Sequence, residues 1–338
     1  MRPHGQTPLL SSAVRARLAS FAPFIYWVLW FDIAWLTAVA ALGLWSAALA
    51  QWPIALAMLF GSYIAGSTPM GGGTVGFPII VLLYGEDVSI GRNFSFLIQS
   101  VGMSSASIFL LCARRIIAWR LLMVSAGTAT VVIPLALWLL VPIAPAPLVK
   151  LTFATIWAGF GMMTLVKLRE LLASHTLPDL PVRFDWACGV AIGFIGGVTT
   201  ALTGVGIDMI LYTVLVLLYR CDLRIAIATS VIAMAYCSLV GSVSSAALGA
   251  IELDVIHKWL AAAPVVLIGA PLGALAMQYL SKTRTLQIVS ALCLGQFVWT
   301  LWKVDGSAAM IGGAIVAVLL LNLAFMATYA WGRRLHAS

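Results

Sequence analysis

Two stretches of this chain gather residues able to hold a small anion. The first reads Gly66-Ser67-Thr68-Pro69-Met70-Gly71-Gly72-Gly73-Thr74-Val75-Gly76-Phe77-Pro78, the second Gly196-Gly197-Val198-Thr199-Thr200-Ala201-Leu202-Thr203-Gly204-Val205-Gly206-Ile207-Asp208. Glycine frees the backbone to turn, and Pro69 and Pro78 lack an N–H and disfavour helix before them, so amides are left without helical partners. Each stretch leads into a short apolar segment whose first helical turn offers free N–H groups and a partial positive charge. One helix N-terminus contributes about 0.3 to 2 kcal/mol, whereas burying an unpaired ion costs several kcal/mol, so one end alone does not suffice. Two opposed ends, with hydroxyls from Ser67, Thr68, Thr199, Thr200 and Thr203, can hold an anion. Asn93, Ser95, Gln99, Thr229 and Ser230 open the next helices and add donors without fixed charge. With Gly71, Gly72, Gly73, Gly204 and Gly206 these form the expected substrate-binding set. The competing reading is close helix packing, which Gly189, Gly193 and Gly197 at four-residue spacing suit; a packing motif has no use for proline.

Asp208 is an acid inside an apolar segment, costly unless neutralised, paired or facing water. Ionised, it repels a neighbouring anion; protonated, it does not, which makes it the candidate for proton coupling. Its bland role is to accept backbone N–H bonds at the start of the next helix. Gly71, Gly73 and Gly76 also fit G-x-G-x-x-G, but no alternating strands and helices surround them. A hydrolase needs a nucleophile and base at depth, and His4, His175, His257 and His336 all fall in termini or loops. The five cysteines contain no C-x-x-C pair, so neither a zinc site nor a disulfide framework is indicated, and no metal or other cofactor is expected.

The elements that must position these residues are membrane helices. Of 338 residues 62% are hydrophobic and 9% charged, far outside soluble ranges. The net charge of +8 is spread in small groups between apolar runs, which marks topology rather than nucleic acid. The run from Phe24 to Ala48 reads as an uncleaved first transmembrane helix, although Ala48-Leu49-Ala50 resembles a signal-peptidase site. Further apolar segments are predicted over Trp52–Ala65, Thr74–Tyr84, Asn93–Cys112, Arg120–Val141 and Pro147–Leu165. A polar connector follows over Lys167–Asp185, then Trp186–Leu202, Ile207–Tyr219, Arg224–Leu248, Lys258–Leu280, Leu286–Trp302 and Ala308–Trp331. Trp45, Trp52, Trp119, Trp186, Trp259 and Trp331 near segment ends suit an interfacial belt.

A shift of 135 residues lays Gly71 on Gly206, Leu82-Leu83-Tyr84 on Leu217-Leu218-Tyr219, Asp87 on Asp222, Ser95 on Ser230 and Ser107 on Ser242. One constant offset aligning both breaks and three following helices indicates an internal repeat. If each break is a re-entrant hairpin and the N-terminus is cytoplasmic, all 19 Lys and Arg lie inside except Arg92, Lys150, Lys258 and Lys303. A hairpin plus three helices crosses an odd number of times, so the second repeat is upside down. The expected fold is therefore all-α: a polytopic integral membrane protein with inverted-topology repeats, each a re-entrant hairpin plus three helices, and extra terminal helices. The divisions are 1–51, first helix; 52–166, repeat 1; 167–185, cytoplasmic connector; 186–303, repeat 2; 304–338, last helix and tail. Both termini are expected in the cytoplasm, in the inner or plasma membrane, with a homo-oligomer open.

Gly71-Gly72-Gly73 with Pro78, and Gly204-Val205-Gly206 leading to Ala228-Thr229-Ser230, give the chain a resemblance to the TauE/SafE sulfite and organosulfonate exporters. The resemblance covers most of the chain and implies export of small sulfur-containing anions by secondary transport. Ile207-Asp208 stands where that family often has more glycine, and Thr213 where it has proline. A passive anion channel and a non-transporting membrane assembly protein are the alternatives; no soluble segment supports an ATP-driven pump.

Overall fold

The structure, a computed structural model, describes residues 19–68, 70, 73–172, 181–276, 279, 281–304 and 306–335. Pro69, Gly71 and Gly72 of the first break lie outside these residues, as do Arg2, Arg15, Arg17, His4, His175 and His336.

Apolar runs without strand-forming alternation give helix throughout. The chain forms α1 (Ala22–Ala41), α2 (Trp45–Ala50), α3 (Trp52–Ser67) and α4 (Gly73–Pro78), which runs into a wider π turn at Ile79–Leu83. Then come α5 (Val88–Cys112), α6 (Trp119–Leu139), α7 (Ala146–Val166) and the short α8 (Leu168–Leu172). The second half has α9 (Val182–Thr203), α10 (Ile207–Leu217), α11 (Leu223–Ala247), α12 (Leu253–Ala276), α13 (Lys282–Lys303) and α14 (Ala308–Leu335). Nine of these are long and apolar enough to cross a membrane among the described residues. The protein is a polytopic all-helical membrane protein. The first helix is shorter than predicted: Gly43, at φ 64°, ends it before Ala48 and starts α2.

α10, with 11 residues, rises about 16 Å at 1.5 Å per residue, half of a bilayer core. It folds back along α9, so the second break is a hairpin whose return arm does not span. A Cβ on Gly196 would come within 2.8 Å of the Ile207 side chain, and one on Gly61 within 3.0 Å of Val75. Gly61 and Gly196 are 135 residues apart, so in each half the long arm meets the return arm at the corresponding glycine, although the partners Val75 and Ile207 differ by three residues in register.

The offset also holds between helices. It carries Val88–Cys112 onto Leu223–Ala247 residue for residue. α3 packs along α12 and α9 along α6, so each hairpin's long arm rests on the other half. Small residues make these contacts close: Gly66 meets the Ala270 carbonyl and Gly273 the Tyr63 carbonyl, while Gly189, Gly193 and Gly197 meet Val124, Thr128 and Val132. That is the packing role expected of the three. α5 and α11 cross at the centre, 67% and 72% buried over their most apolar windows, against 11% for α1 and α14 at the periphery.

Charged residues taken as segment borders lie inside helices. α5 begins at Val88, not Asn93, because Arg92 is buried within its first turns; α12 begins at Leu253, not Lys258, because Lys258 is buried and paired to Asp254. Likewise α9 starts at Val182, inside the predicted connector.

Candidate functional site: two helix breaks

The breaks share a device built from threonine. Thr68 donates its hydroxyl to the Ile64 carbonyl at 2.8 Å and accepts the Met70 N–H at 3.3 Å. Thr203, 135 residues on, has two carbonyls within reach of its one hydroxyl proton, Val205 at 2.7 Å and Thr199 at 3.0 Å, and accepts the Val205 N–H at 3.4 Å. Each hydroxyl closes the end of a long arm and takes up one amide of the turn. Ser67 back-bonds to the Ile64 carbonyl.

At the second tip Gly204 (φ 82°) caps α9 through its N–H to the Thr200 carbonyl, and Gly206 (φ 137°) turns the chain into α10. Both angles favour glycine strongly. Gly204 sits against α5: a Cβ there would meet the Arg92 carbonyl at 2.6 Å and Ser95 at 2.7 Å. Gln99 donates to the Gly204 carbonyl at 3.0 Å and to the Ser95 carbonyl. So α5 brings Ser95 and Gln99 to the tip that Thr199, Thr200, Thr203, Gly204 and Gly206 form.

The amides opening α10 have internal partners. Thr200 Oγ1 accepts from Ile207 N–H, and Asp208 Oδ1 accepts from Gly206 at 3.2 Å and Met209 at 2.9 Å. The Asp208 carboxylate thus sits where an anion at this helix end would sit. In the first half Gly73 occupies the corresponding position, and its neighbour Thr74 is buried with a hydroxyl that has no hydrogen-bond partner among the described residues.

Three predicted residues serve other contacts. Asn93 donates to the Ala250 carbonyl at 2.7 Å, Thr229 accepts the Ala118 N–H at 3.0 Å, and Ser230 back-bonds to Ile227. Asn93 and Thr229 each tie the start of a central helix to the loop that enters α12 or α6.

Arg92 was not among the expected site residues. It is 6% exposed, its Nε lacks a partner among the described residues, and it lines a cavity of about 230 Å³ with Asp87, Ser89 and Leu202 of the second tip. A buried guanidinium inside a membrane helix is expensive and marks a functional position by default. The signal was an arginine one turn before the Ser95–Gln99 pair. On α11, Ser238, Ser242 and Ser245 carry buried hydroxyls along one face that have no hydrogen-bond partner among the described residues.

Ion pairs fasten each hairpin base to the opposite half. Asp185 accepts from Arg120 at 3.0 Å and from the Tyr219 hydroxyl at 2.7 Å, joining α9, α6 and the end of α10. Burial and the Asp185 bond push the Tyr219 hydroxyl above its ordinary range, so it stays a donor. At the other hairpin Lys258 pairs with Asp254 and lies 3.5 Å from Glu86.

The family described as Sulfite exporter TauE/SafE matches residues 54–300. The chain belongs to that family. No curated protein and no solved structure matches it. The TauE/SafE match takes in both breaks, both central helices and both base clasps, and leaves α1 and α14 outside. TauE/SafE is a family of transporters, and the apolar helices of this chain fit a membrane-embedded member of it.

Proposed function

We propose that this protein is a secondary transporter, in the export direction, of small sulfur-containing anions such as sulfite or organosulfonates, bound at the two helix breaks. The observation that carries this reading is the buried, incompletely partnered Arg92 beside the second tip, one turn from Ser95 and two from Gln99. Donors at the first tip, including Thr74, complete the set. In the hairpin orientation favoured by the Lys and Arg distribution, the Arg92 end of α5 faces outside, the release side for an exporter.

Asp208 supplies the coupling. Its carboxylate occupies the α10 amides as an internal competitor; protonation weakens its hold on them and removes the charge that opposes the substrate. The two half-chains act as inverted repeats around the site, a reading supported by their exchanged packing partners.

The test is thermal stability of the purified protein with sulfite, thiosulfate, sulfoacetate, taurine, acetate and chloride, at mildly acidic and mildly alkaline pH. A specific ligand at ~100 times its dissociation constant stabilises by roughly 2.7 kcal/mol. Selective stabilisation by sulfur oxyanions, stronger in acid and losing that pH dependence in Asp208→Asn, is expected. Indifference to every anion sinks the reading. A passive channel shares the binding response but gives flux blind to a pH gradient.

A further inference from the structure

Beyond the transport site, α7 and α14 form a seam against the periphery of the molecule. At its Lys167 end lies a cavity of about 660 Å³ lined by Lys167, Arg220, Tyr329, Arg333 and Arg334. Two of these cations lie against one aromatic ring: Lys167 Nζ is 4.6 Å and the Arg220 guanidinium 6.0 Å from the centre of the Tyr329 ring. The neighbouring acid is Glu170, 3.0 Å from Lys167; that hydrogen bond, with burial opposing it, holds its carboxyl below the usual range. Among the described residues lining it, Lys167, Arg220, Arg333 and Arg334 give the pocket a positive character.

A second cavity, about 400 Å³, continues from the first along the same seam. It is walled by Val166, Leu319, Leu323 and Phe325 and shares Lys167 and Met326 with the basic pocket. Charge at one end and a contiguous apolar channel at the other match one class of molecule. We propose that this is a binding site for an anionic phospholipid, its phosphodiester among Lys167, Arg220, Arg333 and Arg334 and an acyl chain along Leu319, Leu323 and Met326. A topology signal alone needs loose cations, not a concave pocket with cations stacked on a tyrosine. A free phosphate accounts for the basic end and has no use for the apolar one. The site joins Lys167 and Arg220, inside the family match, to α14, outside it.

The experiment measures binding and thermal stabilisation of the detergent-purified full chain by phosphatidylglycerol, phosphatidylcholine and inorganic phosphate at matched ionic strength. Phosphatidylglycerol is expected to stabilise, with the other two without effect. The double variant Arg333→Ala/Arg334→Ala is expected to bind phosphatidylglycerol about 30-fold more weakly, two surface cations at about 1 kcal/mol each. Met326→Trp, at the junction of the cavities, is expected to weaken the lipid without removing charge, while Arg284→Ala, away from the pocket, changes nothing. Equal stabilisation by phosphatidylcholine, full stabilisation by phosphate alone, or undiminished lipid binding in both pocket variants overturns the proposal.

Discussion

Arg92 is the residue on which the anion account turns, because it supplies the full positive charge that helix ends and hydroxyls lack. Arg92→Gln keeps a donor of similar size and removes that charge; hydrogen bonds to charged groups contribute about 1.5 to 3 kcal/mol, so sulfite affinity is expected to fall roughly ten- to a hundredfold, read by titration calorimetry. Arg92→Lys is expected to recover part of it, since an ammonium restores the charge without the planar fork. Asp208 separates into two roles by substitution. Asn retains an oxygen able to accept the Gly206 and Met209 amides, so Asp208→Asn is expected to melt within a few degrees of wild type, whereas Asp208→Ala loses the cap and about 1 kcal/mol. Only the proton-coupled reading adds that flux through the Asn variant ignores a pH gradient. Asp208 and the threonines stand out in the sequence as an acid and hydroxyls at a helix break, and the backbone bonds they make there are the capping role that the sequence also allows. Arg92 does not stand out, because a charge beside an apolar run reads as its border, and only the burial around it reveals that α5 had already begun.

At the scale of the hairpin, glycine does two distinct jobs, and substitution tells them apart. Gly196→Ala puts a methyl 2.8 Å from Ile207 Cγ1 and 2.9 Å from its Cα, an encounter with backbone that cannot swing away. A loss of roughly 1 to 3 kcal/mol is expected, seen as a lowered melting temperature in detergent. Gly127→Ala, on α6, meets nothing within 4 Å and is expected to be neutral or stabilising by up to about 1 kcal/mol. If both variants melt alike, close approach of the hairpin arms is not what Gly196 provides. The existence and spacing of the arms followed from the sequence, since glycine and proline interrupt hydrophobic runs wherever a helix must stop. Which amides remain open did not: the Thr200 and Asp208 acceptors take up those of α10, a matter of side-chain direction that spacing does not encode.

For the whole molecule the central relation is the exchange of partners between halves, α3 on α12 and α9 on α6, with one clasp at each hairpin base. If the repeats are inverted, those clasps lie on opposite faces of the membrane. Cysteines introduced singly at Arg120 and Glu252 are then expected to react with an impermeant thiol reagent from opposite sides, the first in inverted vesicles and the second in intact cells. Labelling of both from one side would falsify the inverted arrangement. The 135-residue offset is visible in the sequence, and the bounds of α5 and α11 fit it at both ends. The short clasp contacts were hidden, because Lys258 and Asp185 sit within stretches whose charge suggests water while their side chains are buried.

Anion movement itself is the decisive quantity. We would measure uptake of radiolabelled sulfite into proteoliposomes containing wild type or Arg92→Gln, under an imposed pH gradient, with folding of both checked by melting temperature. The account predicts gradient-dependent uptake by the wild type and at least a tenfold loss in an equally stable Arg92→Gln. Equal uptake by both proteins, or none above empty liposomes, would contradict it.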